Sequence, residues 1–247
     1  MANIIAQEAF NHLIEDLRAT HGDNLASVVL YGSAATGEYV ELRSDYNILI
    51  ALRRITPEDL RAAQAPVREW RRLGHPLPVY FTVSELRDSA DVFPIEFNQM
   101  KRARLVLYGP DPFEGLEVSG ENLRHQTEYE LRSKLLQLRR LYIPASTSAE
   151  RLRDLMADSL TSFATLFAPV LMLAGEVSPV QKREVVRATS RLLGLDGAVF
   201  ERVFELRARG GGGANEREAE ELFAAYLAQI ERVIEAVDRL NVAGPRA

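Results

Sequence analysis

The chain has 247 residues, 47% hydrophobic and 26% charged, a balance that suits one large or two ordinary globular domains and is not that of a disordered chain. A formal net charge of -5 argues against a protein built mainly to hold polyanionic nucleic acid. Cysteine is absent, which excludes disulfides and thiolate metal sites.

The N-terminal stretch carries Glu8, Glu15 and Asp16 and lacks a long apolar core, so it does not read as a signal peptide. Its apolar residues Ile5, Phe10, Leu13, Ile14 and Leu17 fall close to one helical stripe. The run "ASVVLYG" then predicts a buried strand stopped by Gly32, and "YNILIAL", residues 46–52, predicts a second. Thr56 followed by Pro57 is a helix start, and the helix is expected to run to about Leu73, before Gly74. A third strand, "LPVYFTV", precedes a short helix from Ser84 to Ser89 with Ser84 as its cap. A fourth, "ARLVLYG", is closed by Gly109 and followed by the Pro- and Gly-rich loop "GPDPFEG".

Beyond that loop no stretch reads as a strand. Four long helices are expected, over Asn122–Tyr142, Ser148–Gly175, Pro179–Leu193 and Glu216–Leu240, with short connections that suit an antiparallel bundle. The glycines at 210–213 read as a flexible connector before the last helix, and no Gly-Lys-Ser/Thr follows them to make a P-loop. "FATLFAPVLMLA", from Phe163, is about a dozen residues, short of the roughly 20 that span a bilayer, and Pro169 interrupts it. It is expected to be a buried helix in a cytoplasmic protein with no membrane partner. The pattern as a whole predicts an α+β chain of two domains, residues 1–115 and 116–247.

Chemistry concentrates in residues 30–52. Gly32 and Ser33 follow a strand and precede a potential helix, a turn suited to cradling phosphate: glycine lets the backbone approach and the serine offers a hydroxyl. Asp45 and Asn47 lie two apart on an expected strand, so their side chains leave the same face. Two carboxylates at that spacing would hold Mg²⁺ ions against a triphosphate and an attacking hydroxyl.

This segment resembles the DNA polymerase β-like nucleotidyltransferase superfamily, whose signature is Gly-Ser, a small residue, a further Gly, then Ser-Asp-x-Asp at the head of the next strand. Gly32, Ser33, Ala35, Gly37, Ser44 and Asp45 fall on that pattern. The resemblance covers roughly residues 1–115, and the appended bundle is similar in architecture to the antibiotic (aminoglycoside) nucleotidyltransferases. It implies an NTP, ATP first, on Gly32, Ser33 and Ser44, with Mg²⁺ on Asp45 and position 47. It also implies transfer of a nucleotidyl group to the hydroxyl of a small molecule or macromolecule.

Two departures weaken that implication. Position 47 is Asn, whose amide oxygen can touch a hard cation but carries no charge. The third carboxylate of the family, expected in "PVYFTV", is absent, and Tyr80 and Thr82 stand there instead. The sequence therefore points to an impaired transferase that keeps a nucleotide-binding turn or serves as a binding or sensing module, against the alternative of an active Mg²⁺-dependent enzyme. Glu85, Asp88, Asp91 and Glu96 are candidates for a displaced carboxylate, Glu96 in an apolar setting, and Glu128 and Glu130 for a base; most such acids are caps or solvated helix faces. Tyr39, Arg43 and Tyr46 flank the turn, and Trp70 is expected to pack on the sheet. The four histidines show no paired ligand spacing. The apolar helix near Phe163 would tolerate a homodimer contact.

Overall fold

In a computed structural model of the protein, residues 2–36, 46–179, 181–208 and 215–240 are described. The chain divides into two compact units, Met1–Val118 and Ser119–Ala247.

The first unit is built on a four-stranded mixed sheet of order β3-β2-β1-β4, with β1 at Leu25–Tyr31, β2 at Asn47–Leu52, β3 at Val79–Thr82 and β4 at Arg104–Tyr108. β1 runs antiparallel to both β2 and β4, while β2 and β3 are parallel. A parallel pair needs a crossover, and helices α2 (Pro57–Ala62) and α3 (Gln64–Arg72) supply it. Helix α1 (Ala2–His21) precedes β1, and α4 (Val83–Asp88) and α5 (Pro94–Arg102) fill the stretch between β3 and β4.

Both faces of the sheet are covered, which is why β1 and β2 are apolar almost without interruption. On one face Val28, Leu30, Ile48, Ile50 and Leu52 pack with Phe10, Leu13 and Leu17 of α1 and Trp70 of α3. On the other, Val29, Leu49 and Ala51 pack with Leu86, Phe97, Met100, Phe113 and Leu116. Trp70 is 2% exposed, its ring centroid 4.4 Å from His75, 5.9 Å from Phe10 and 6.5 Å from Tyr46.

The caps show where local sequence was read well and where it was not. Thr56 caps α2 as expected: its hydroxyl accepts from Asp59 N at 3.2 Å while the Asp59 carboxylate accepts from Thr56 N at 2.9 Å. The single helix expected to reach Leu73 is instead two, broken at Ala63. Pro66 is the reason, since it has no N–H for the Ala62 carbonyl and its ring would strike that turn. Ser84 is not the cap of α4. Thr82 is, with its hydroxyl accepting from Glu85 N at 3.0 Å and the Glu85 carboxylate accepting from Thr82 N at 2.7 Å. Helix α5 was not foreseen; it starts at Pro94 and buries Ile95, Phe97 and Met100.

His21 ends α1 with its side chain buried, and its Nε2 has no hydrogen-bond partner among the described residues. Burial lowers its pKa, partly offset by the Asp59 carboxylate. A histidine whose folded pKa lies below the unfolded value of about 6.5 takes up its proton first in the unfolded state. Stability is therefore complete above that value and is lost as pH falls from it towards the folded pKa. The melting temperature is expected to drop as pH falls below about 6.5, and His21→Leu to flatten that drop. Asp59, its carboxyl lowered chiefly by the Thr56 hydroxyl, acts only in a more acidic window. An unchanged slope in His21→Leu would assign the effect elsewhere.

The second unit is a bundle of α6 (Gly120–Ala145), α7 (Ala149–Leu173), α8 (Lys182–Leu193), α9 (Gly197–Ala208) and α10 (Glu216–Arg239). Helix α7 is central and touches the other four. It is long and apolar enough by composition to cross a membrane, but Leu152, Met156, Leu160, Phe163, Phe167 and Val170 are buried within the unit. Helix α9 is an addition to the four expected helices. Asp196 opens it by accepting from Ala198 N at 3.1 Å, and Val199, Phe200 and Val203 are buried. The Arg187 and Arg183 guanidinium groups of α8 both reach Glu201 of α9. The glycine connector at 210–213 lies outside the described residues.

Candidate functional site

Gly32 ends β1 with φ of +85°, a conformation that L side chains rarely adopt, and this is the physical reason for glycine at the turn. Its N–H donates to the Ala103 carbonyl and its own carbonyl accepts from Ala35 N–H, both at 2.9 Å. The chain then enters a four-residue 3-10 turn, Ser33–Thr36, rather than the expected α-helix. A short 3-10 turn has poorer hydrogen-bond geometry and less aligned dipole than an α-helix, so its contribution to an anion site is smaller.

Asn47 is the first residue of β2 and pairs across with Tyr31. It is half-buried, and its Nδ2 lies 3.3 Å from where a Cβ on Gly32 would sit, so turn and strand head meet as the sequence pattern requires. Ser44 and Asp45 lie outside the described residues, as do Gly37, Tyr39, Arg43 and the side chain of Ser33. Tyr46 is in the core, its ring 5.0 Å from Phe10 and 4.8 Å from His75.

The register settles which residues share a face with Asn47. By alternation it belongs with Leu49 and Ala51, whose partners on β3 are Val79 and Phe81. Tyr80 and Thr82 therefore leave the opposite face. Tyr80 packs towards α1, 6.3 Å from the His21 ring, and burial raises the pKa of its hydroxyl. The two β3 residues on the face of Asn47, opposite Leu49 and Ala51, are both hydrocarbon. Beneath the turn, Tyr31 is half-buried, and desolvation raises its phenol pKa as well.

The candidate replacement acids have other partners or other settings. Glu85 is committed to the α4 cap. Asp88 and Asp91 are exposed, and so is Glu96, in the first turn of α5 and not in the apolar setting expected for it. Glu128 on α6 accepts from Arg132 Nε at 2.8 Å and Arg124 Nη1 at 3.1 Å, and the hydrogen bond from Arg132 leads in holding its pKa down, which makes it a poor base. Glu130 is half-buried on the same helix. Among the described residues no group of three or more His, Asp or Glu side chains could hold a metal ion.

The chain is an α+β protein, a mixed sheet with flanking helices followed by a helical C-terminal region. The chain is similar to the spectinomycin adenyltransferase AAD(9) from Enterococcus faecialis, solved with ATP and spectinomycin: the TM-score is 0.57 at 15% identity, over 92% of this chain and 98% of that one. No family model and no curated protein match the sequence.

Proposed function

We propose that this protein is a nucleotide-binding module on the nucleotidyltransferase fold, with its transfer chemistry impaired. The observation that carries the reading is the setting of Asn47. It meets the Gly32 turn, where the family resemblance implies a phosphate, yet offers a neutral amide, and the β3 residues on its face, opposite Leu49 and Ala51, are the hydrocarbons Val79 and Phe81. Hard divalent ions need charged oxygen ligands, and a pair of such ions needs several. The described residues do not fit a two-metal arrangement, so phosphate recognition falls to backbone groups of the turn, with Ser33 and Ser44 as the hydroxyl side chains the sequence pattern adds and Asp45 as the one carboxylate it leaves for a metal ion.

Calorimetric titration of the purified protein with a non-hydrolysable ATP analogue tests this reading. Binding that is unchanged when Mg²⁺ is omitted is expected; no binding in either condition would sink it. Asn47→Asp restores one charge with almost no change of shape, and is expected to tighten Mn²⁺ binding about ten-fold. An unchanged Mn²⁺ affinity would remove Asn47 from the site.

One observation favours a second reading, an active enzyme that passes NMP from ATP to a small-molecule hydroxyl. The likeness covers 92% of this chain, and that neighbour was crystallised with both ATP and spectinomycin. Release of pyrophosphate from ATP in the presence of spectinomycin would establish that reading and replace the first.

A further inference from the structure

A cavity of about 200 Å³ opens between α6 and α7 of the helical unit. Its floor is apolar, made by Leu138, Leu155 and Phe163, two of them almost fully buried. The same cavity is lined by Lys134, Gln137, Asp158 and Ser162. None of these four side chains has a hydrogen-bond or ion-pair partner among the described residues. Ser159, also in the lining, is fixed: its hydroxyl donates to the Met156 carbonyl and lies 3.0 Å from the hydroxyl of the buried Tyr226. That contact ties the cavity wall to α10, which preorganises it.

We propose that this cavity binds a small dipolar ion, a free α-amino acid with an apolar side chain. A cation and a carboxylate line one cavity without pairing with each other. Lys134 is half-buried and Asp158 exposed, so a ligand of single charge would meet only one of them, whereas a zwitterion meets both. Its carboxylate meets Lys134, its ammonium meets Asp158, and Gln137 and Ser162 supply further hydrogen bonds. The apolar floor takes the side chain. The volume of about 200 Å³ is on the scale of one amino acid.

The test is calorimetric titration of the full-length protein with L-leucine and L-phenylalanine, and with N-acetyl-L-leucine and L-leucinamide, each of which lacks one of the two charges. Saturable binding of L-leucine or L-phenylalanine is expected, with each single-charge analogue of leucine weaker by about ten-fold or more. Asp158→Asn is expected to abolish discrimination against N-acetyl-L-leucine and Lys134→Met discrimination against L-leucinamide, both variants keeping the wild-type circular dichroism spectrum. No saturable binding of either amino acid at millimolar concentration overturns the proposal. So does binding that both substitutions leave intact. Neither outcome depends on the nucleotide site, whose own titration is read separately.

Discussion

Gly109→Ala is expected to destabilise the N-terminal unit by about 4 kcal/mol or more, among the largest effects of any single substitution. Gly109 follows β4 with φ of +75°, and a Cβ there would sit 2.0 Å from the Ala26 carbonyl oxygen and 3.2 Å from Ser27 Cα. Both are β1 backbone, in the central part of the sheet, so neither can yield as a flexible side chain would. Next to this crossing, the Ser27 hydroxyl donates to the Pro110 carbonyl at 2.6 Å and fixes the chain as it leaves β4. The closely packed segment continues to Asp111, whose carboxyl stays low despite burial because Arg104 hydrogen-bonds it, Nη2 to Oδ2 at 2.6 Å. Gly74→Ala is the control: its φ is +91°, yet a Cβ there meets nothing within 4 Å, so only the backbone strain of about 1–2 kcal/mol applies. Urea unfolding followed by tryptophan fluorescence reads the N-terminal unit selectively, because Trp70 is the only tryptophan. Equal midpoints for the two variants would show that the β1–β4 crossing relaxes.

Trp70→Ala is expected to cost about 3–5 kcal/mol. The side chain is 2% exposed and underlies Phe10, Tyr46 and His75, so the cavity left would be walled by rings on three elements that cannot all close in. Trp70→Phe is expected to cost far less. The Nε1 of Trp70 has no hydrogen-bond partner among the described residues, so its removal strands no acceptor while most of the ring packing is kept. Unfolding followed by far-UV circular dichroism measures both variants. The consequence for function lies in Tyr46, which precedes Asn47 at the head of β2. Loosening the Tyr46 ring is expected to weaken binding of the ATP analogue in Trp70→Ala and not in Trp70→Phe. Equal nucleotide affinity in both would show that the turn is held by the β1–β2 ladder alone.

The site was legible in part. Gly32 and Asn47 were singled out from spacing, and the structure brings them together because Tyr31 and Asn47 are register partners at the mouth of the β1–β2 pair. The exposure of Glu96 was misread, since its flanking residues Ile95 and Phe97 turn inward on a helix while Glu96 turns out. The cavity between α6 and α7 had no sequence signal at all: Lys134 and Asp158 are ordinary helix-surface residues until the two helices pack and leave them without partners.

Local chemistry alone determined the four strands, the stop at Gly32, the Thr56 cap with Pro57 behind it, and the change from mixed to all-helical structure near the middle of the chain. Each of these depends on neighbouring residues: β-branched runs, turn glycines, a hydroxyl three residues before its partner N–H. Tertiary structure decided the rest. Alternation puts Leu49 on the face of Asn47, but only the β2–β3 register says that Val79 and Phe81, not Tyr80 and Thr82, are the β3 residues on that face. A strand buried on both faces carries no alternation to read, and its faces acquire identities only when helices α1 and α5 pack on opposite sides of it.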